Sequence, residues 1–149
     1  NYIKFKEEQI PAENNETTTR SEIIINRPDR NKHNVDEIKH IYGDVCQVCG
    51  IRLGKKDGNA ISNAAHIRGL GEPHNGPDIL ENMLCLCPNH HALFDAFAFY
   101  IDPDDYTIRG YDSGDYERFD GSKLKVKHKI DDNFLLYHKE MSLKDSKKN

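Results

Sequence analysis

Residues 84–95 read LCLCPNHHALFD. Cys87, His90 and His91 crowd three strong metal ligands together, and Asp95 lies one helical turn beyond His91. Thiolates with an imidazole are a zinc-building set. An imidazole with a carboxylate and open positions suits a harder ion that takes part in a reaction. The stretch therefore carries ligands of two kinds.

A second pair lies upstream at Cys46-x-x-Cys49. Gly50 follows it and permits the tight backbone that turns both sulfurs toward one ion. Cys87-x-x-His90 repeats the spacing. Two such pairs separated by a few tens of residues predict one tetrahedral Cys3His zinc site that pins the first knuckle to the start of a helix. Cys85 is an alternative to Cys87, because the i,i+2 spacing puts both on one face of an ideal strand. Cys87 is preferred, since x2 spacing closes a knuckle, and Cys85 is then a core thiol. Two disulfides are the bland alternative for four cysteines. Close pairs among histidines favour metal and a reducing, intracellular setting, the cytoplasm.

Successive residues on a helix differ by about 100° in direction, so His90 and His91 cannot serve the same compact site. His91 and Asp95 share a face. They are expected to form a second ligand pair directed away from the zinc. The ordinary alternative is an exposed i,i+4 pair worth a few tenths of a kcal/mol.

Several elements must position these groups. NVDEIKHIYG at 34–43 reads as a helix, with Asn34 as cap, Glu37 at the capping-box position and Gly43 as stop. GKKDGNA at 54–60 reads as a loop, and ISNAAHI at 61–67 as a short strand. The Gly- and Pro-rich 69–78 is irregular, MLCLC at 83–87 is a second strand, and 88–99 is a helix with Pro88 in its first turn. A hairpin is expected over 99–110, a strand at KLKVKHKI and an amphipathic helix over 133–144. His33, His40, His128 and His138 are expected at the surface, and His74 in an exposed loop.

The chain has 149 residues, enough for one domain and some extra. No apolar run is long enough to span a membrane, so no membrane partner is expected. Net charge is −4, which counts against gripping DNA by bulk charge. Charge is uneven: residues 102–120 are acidic and 123–129 basic. Residues 6–22 are polar and aperiodic and read as a linker or arm. The chain starts at Asn1 without Met, which suggests a fragment of a longer parent.

AAHI at 64–67, ENMLCLC at 81–87 and CPNHHALFD at 87–95 resemble the HNH (ββα-metal) nucleases. That family's pattern is a His ending one strand, an Asn beginning a second and a His on the following helix. His66, Asn82 and His91 match those places in order. The wider string CQVCG…FD resembles the C-terminal nuclease domain of modification-dependent restriction enzymes, many of which carry an upstream SRA-type domain that reads a modified cytosine. The resemblance covers residues 34–100 well and does not cover 1–30.

The resemblance implies an α+β fold, a ββα-metal finger stapled by the Cys3His zinc, with flanking helices and a C-terminal hairpin and helix. Residues 1–30 would be a linker or remnant of an upstream domain, and 31–149 the nuclease domain, with its core at 44–100. The activity implied is metal-dependent hydrolysis of phosphodiesters in double-stranded DNA, including DNA with modified bases. His66 would take a proton from water, and Asn82 would fix the loop after it. His91 and Asp95 would hold a divalent ion, Mg2+ or Mn2+, with Co2+ or Ni2+ as softer alternatives. Arg68, two residues past the base, is a phosphate-contact candidate. Many family members have Asp before the base, where this chain has Ala65. The acidic total leaves targeting to an upstream recognition domain or to a homodimer. The rival reading is a treble-clef zinc module that binds nucleic acid or protein without cutting. It uses the same zinc quartet but has no need of His66, Asn82, His91 and Asp95.

Overall fold

A computed structural model describes residues 32–110 and 120–147, with side chains to Lys144. Residues 1–31 and 111–119, the second of these a part of the acidic run at 102–120, lie outside the described residues. The fold is α+β. In chain order it has α1 (Lys32–Tyr42), β1 (Leu53–Gly54), β2 (Ala60–Ile61), β3 (Asn63–His66), a 3-10 turn (Leu80–Asn82), β4 (Met83–Leu86), α2 (Pro88–Asp95), β5 (Tyr100–Ile101), β6 (Ile108–Arg109) and α3 (Asp132–Lys147).

The centre is the antiparallel pair β3–β4, followed directly by α2. Ala64 pairs with Cys85, Ala65 with Leu84, and His66 with Met83. Alternation along a strand sends neighbouring residues to opposite faces, and each face meets a different helix. Ala64, Met83 and Cys85 pack against Ile38 and Tyr42 of α1. Ala65, Leu84 and Leu86 pack in the larger core with Phe94 of α2, Phe99 and Leu135 of α3. Both strands are thus covered on both sides, which is why MLCL reads as an almost unbroken apolar run. Ala65 is fully buried. A carboxylate there would enter an apolar core and need a compensating charge to be tolerated.

Gln47 closes the outer edge of β4. Its N–H donates to the Cys85 carbonyl at 2.9 Å, and its Oε1 accepts the Cys85 N–H at 2.8 Å. Its Nε2 donates to the Lys125 carbonyl at 2.7 Å. One buried side chain thereby does part of a third strand's work on an edge that would otherwise bury unpaired backbone groups.

The structure departs from the sequence expectations in several places. Helix α1 starts at Lys32, so Asn34 lies inside it; its Nδ2 donates to the Asp78 carbonyl at 3.2 Å. Gly43 does end the helix, with φ +59°. Residues 54–60 are the tip of a β1–β2 hairpin, where Asp57 turns the chain by accepting the Asn59 N–H at 2.9 Å. Helix α2 stops at Asp95, and Phe97 takes φ +60°. KLKVKHKI forms no strand beyond a bridge from Lys123 to Thr107. Its backbone is spent elsewhere: the Lys125 N–H goes to Gln47 and the Lys127 N–H to the Tyr42 hydroxyl.

Two histidines expected at the surface are inside. His138 is 2% exposed, stacked 3.7 Å from Phe94, and its Nε2–H donates to the Phe94 carbonyl at 2.8 Å. Burial lowers its pKa to about 4, so it is neutral. His128 is half-buried between the Tyr42 hydroxyl and the Met83 carbonyl. Burial lowers its pKa as well.

Candidate metal centre and active site

The ligands at 84–95 separate in space. Cys46, Cys49, Cys87 and His90 bring their ligand atoms within 4.8 Å of one another. Among the described residues this is the one cluster of three or more metal-ligating groups so arranged. Cys87 Sγ lies 3.3 Å from His90 Nδ1, Cys46 Sγ lies 3.9 Å from it, and Cys49 Sγ lies 4.0 Å from Cys87 Sγ. A tetrahedron with metal–sulfur bonds of about 2.3 Å has edges of about 3.7 Å, so the group can hold one metal ion and fits a zinc site. All four cysteines are free thiols. Cys85 is not in the cluster: β4 ends at Leu86, the strand alternation stops there, and Cys85 faces α1.

The electrostatics of the sulfurs ask for a cation. Burial pushes the Cys46 thiol up, but hydrogen bonds from His90 and from the backbone of Cys49, Cys87 and Val48 reverse this and bring it down to about 6. Burial, with the neighbouring Cys46 charge adding to it, raises Cys87 and lifts Cys49 to about 12. One thiolate forms readily. The second and third need positive charge beside them, which a divalent ion supplies.

The other residues gather around the end of β3. His66 Nε2 lies 2.8 Å from Asp78 Oδ1, with the imidazole 10% and the carboxylate 20% exposed. Asn82, fully buried in the 3-10 turn, closes the intervening loop. Its Oδ1 accepts the Arg68 N–H at 2.9 Å, and its Nδ2 donates to the carbonyls of Arg68 at 2.9 Å and Pro77 at 2.8 Å. The amide thus ties the residues just after His66 to the residue just before Asp78. Inside the loop the Gly76 N–H donates to the Gly69 carbonyl at 2.6 Å. A Cβ on Gly76 would run into the Arg68 carbonyl, so only glycine fits.

Arg68 does not project freely: its Nε–H donates to the His74 carbonyl at 2.5 Å. His74 is half-buried rather than exposed, with Nδ1 bonded to the Tyr137 hydroxyl at 2.6 Å. On α2, His90 turns inward and is buried, while His91 faces out. His91 Nε2 lies 3.1 Å from Asp95 Oδ2, and its Nδ1 is hydrogen-bonded to the Asn63 side chain at 3.0 Å.

Asp78, Asn63 and Tyr137 carry roles around these groups that were not read from the sequence. Asp78 lies in an aperiodic loop, and no spacing rule links it to His66. Asn63 precedes His66 by three positions, yet its contact is across to α2.

Residues 46–102 match the family model of the HNH endonucleases. This segment is an HNH endonuclease domain. The solved structure of a modification dependent TagI restriction endonuclease is similar to the chain at 38% identity and a TM-score of 0.67. The match covers 78% of this chain and 39% of that one, so the chain spans well under half of that enzyme's length. No curated protein matches the chain. The HNH domain thus resembles those of restriction enzymes, and its ββα unit is β3, β4 and α2. Among the described residues no helix is long and apolar enough to cross a membrane.

Proposed function

We propose that this chain is the nuclease part of a restriction or defence enzyme and hydrolyses phosphodiester bonds in double-stranded DNA. The observation that supports this best is the His66–Asp78 pair at the end of β3, held by Asn82 within an HNH domain. A treble-clef binding module would need the zinc quartet but not this pair. Likeness to an enzyme titled modification dependent favours modified DNA as substrate. Recognition of the modification would lie in a part of the parent protein beyond this domain, with residues 1–30 as the connection, or in a homodimer. The four free thiols suit a reducing, cytoplasmic setting.

In this reading, Cys46, Cys49, Cys87 and His90 hold a structural Zn2+ and fix the first knuckle to the N-terminus of α2. His66 is the general base. With Nε2–H donating to Asp78, the lone pair is on Nδ1, which takes the proton from the attacking water. Asp78 orients the ring and stabilises the imidazolium once the proton has moved. Asn82 does no chemistry and holds both members of the pair through their loop. His91 and Asp95 would hold the second divalent ion, Mg2+ or Mn2+, with Co2+ or Ni2+ as alternatives; an HNH nuclease uses such an ion to stabilise the charge that builds on the phosphate and leaving oxygen. Asn63 orients His91 from behind. Arg68 contacts a backbone phosphate beside the cut.

The test is nicking of supercoiled plasmid by the purified chain, with each of the four ions or with chelator, beside His66→Ala. Nicking that needs an added ion and disappears in the variant is the expected result. Full activity in His66→Ala would sink the mechanism.

A further inference from the structure

Helix α3 lies outside the segment that matches the HNH family model, yet it reaches the active-site loop. Tyr137 makes that contact twice. Its hydroxyl bonds His74 Nδ1 at 2.6 Å, and its ring lies 4.3 Å beneath the Arg68 guanidinium carbon. His74 also meets the Tyr137 ring edge-on, with centroids 5.6 Å apart, and touches Phe97 just past α2. The His74 carbonyl in turn takes the Arg68 Nε–H. Tyr137, His74 and Arg68 therefore close a small ring of contacts, and Asn82 secures the Arg68 backbone from the other side.

This ring has a consequence for the arginine. An exposed Arg loses much rotamer freedom when it grips a phosphate. Here that freedom is already gone in the free protein. Nε is committed to His74 and the guanidinium face to Tyr137. Among the described residues no hydrogen bond is made by the two Nη groups, which are the pair that matches a phosphate's oxygens. A preset fork of this kind improves binding by cutting the ordering cost.

We propose that Tyr137 is a positioning residue for DNA binding: with His74 it holds Arg68 ready to clamp a backbone phosphate next to His66. The proposal deepens the nuclease reading and rests on its assignment of DNA as substrate. It also gives α3 a functional part that a helix of merely structural value would not have.

A double-mutant cycle tests it. Binding of a fluorescein-labelled DNA duplex to the zinc-loaded full chain is followed by anisotropy, without a second metal, for the parent, Arg68→Ala, Tyr137→Leu, the double variant and Tyr137→Phe. Zinc content and thermal midpoint are checked for each. Arg68→Ala should weaken binding about tenfold and lower the slope of log K against log salt by about 0.9, the signature of one lost phosphate contact. Tyr137→Leu should weaken binding about three- to tenfold in the parent but less than twofold in the Arg68→Ala background. Tyr137→Phe keeps the ring under the guanidinium and should fall between Leu and parent. Equal losses in both backgrounds, or none in either, would overturn the proposal, as would a parent that binds no DNA at low salt. Nicking fails separately. A cycle that behaves as described, in a chain that cuts with no ion, overturns the catalytic reading and leaves the clamp standing. A chain that cuts normally with an additive cycle overturns the clamp alone.

Discussion

Replacing Asn82 by alanine removes three hydrogen bonds from a fully buried position. At about 1 kcal/mol net for each, the loss is about 3 kcal/mol. Leaving all three backbone groups dry would cost more, but the loop can open and let water in, so the cost of local opening sets the ceiling. For a domain of this size, 3 kcal/mol corresponds to a fall in thermal midpoint of about 10 °C. Asn82→Asp is the sharper variant. It keeps an acceptor for the Arg68 N–H but sets a carboxylate against the Arg68 and Pro77 carbonyls, so it should destabilise at least as much as alanine. Hydrogen exchange localises the effect. The Arg68 amide donates to Asn82 and should lose protection in Asn82→Ala, while the Leu84 and Leu86 amides in the sheet change far less. Because Asp78 follows Pro77 directly, opening the loop should separate His66 from its partner. An error of about 1 Å in such a pair costs on the order of 100-fold in kcat. A midpoint within 2 °C of the parent (under about 1 kcal/mol), with unchanged Arg68 exchange, would refute the account of Asn82 as the closure of this loop.

Three further outcomes follow from the same geometry. Asp78→Asn should lower kcat about 10- to 100-fold with little change in DNA affinity, because it orients His66 rather than binding substrate; steady-state nicking kinetics separate the two. A strong chelator should abolish cooperative melting and release one zinc per chain by elemental analysis, and Cys49→Ala should melt without cooperativity and carry none, since an ion held by the Cys3His quartet would crosslink the knuckle to α2. His138 has its pKa lowered from 6.5 to about 4 by burial. The unfolded state therefore binds the proton first, so this group's contribution is intact above pH 6.5 and falls away as pH drops to 4. The loss is about 3 kcal/mol at 1.36 kcal/mol per unit. Urea titrations from pH 7 to 4 should show that extra slope in the parent and not in His138→Gln, which keeps a donor for the Phe94 carbonyl.

What the sequence made legible was chemistry tied to short spacings. Cys46-x-x-Cys49 and Cys87-x-x-His90 specify one tetrahedron because a knuckle and a helical first turn each leave only one way to aim two ligands. His90 and His91 part company for an equally local reason, the 100° step of a helix. The elements that hold these groups were legible where periodicity was strong, as in α1 and α3, and β4 showed as a short apolar run. Legibility failed where backbone partners come from far along the chain. KLKVKHKI has the composition of a strand, but Gln47 and Tyr42 take the N–H groups of Lys125 and Lys127, so it forms no ladder. His138 is buried because α2 and the turn after it present Phe94 and Phe97.

The carboxylate of Asp78 was missed for a related reason, and it changes how the departure at Ala65 is understood. In the resemblance, alanine before the base reads as the loss of a metal ligand. In the fold, Ala65 points into the core with Phe94, Leu84 and Cys87. The adjacent His66 instead finds its carboxylate across the loop, at Asp78. The carboxylate beside His66 is thus supplied from the loop, whereas a side chain at 65 is fixed in the strand and faces the core. This site depends on the order of residues 67–79 more than a strand-borne carboxylate would require. That dependence accounts for the bracing the loop receives: Asn82 from below, Asn34 of α1 on the Asp78 carbonyl, and Tyr137 of α3 on Arg68 and His74.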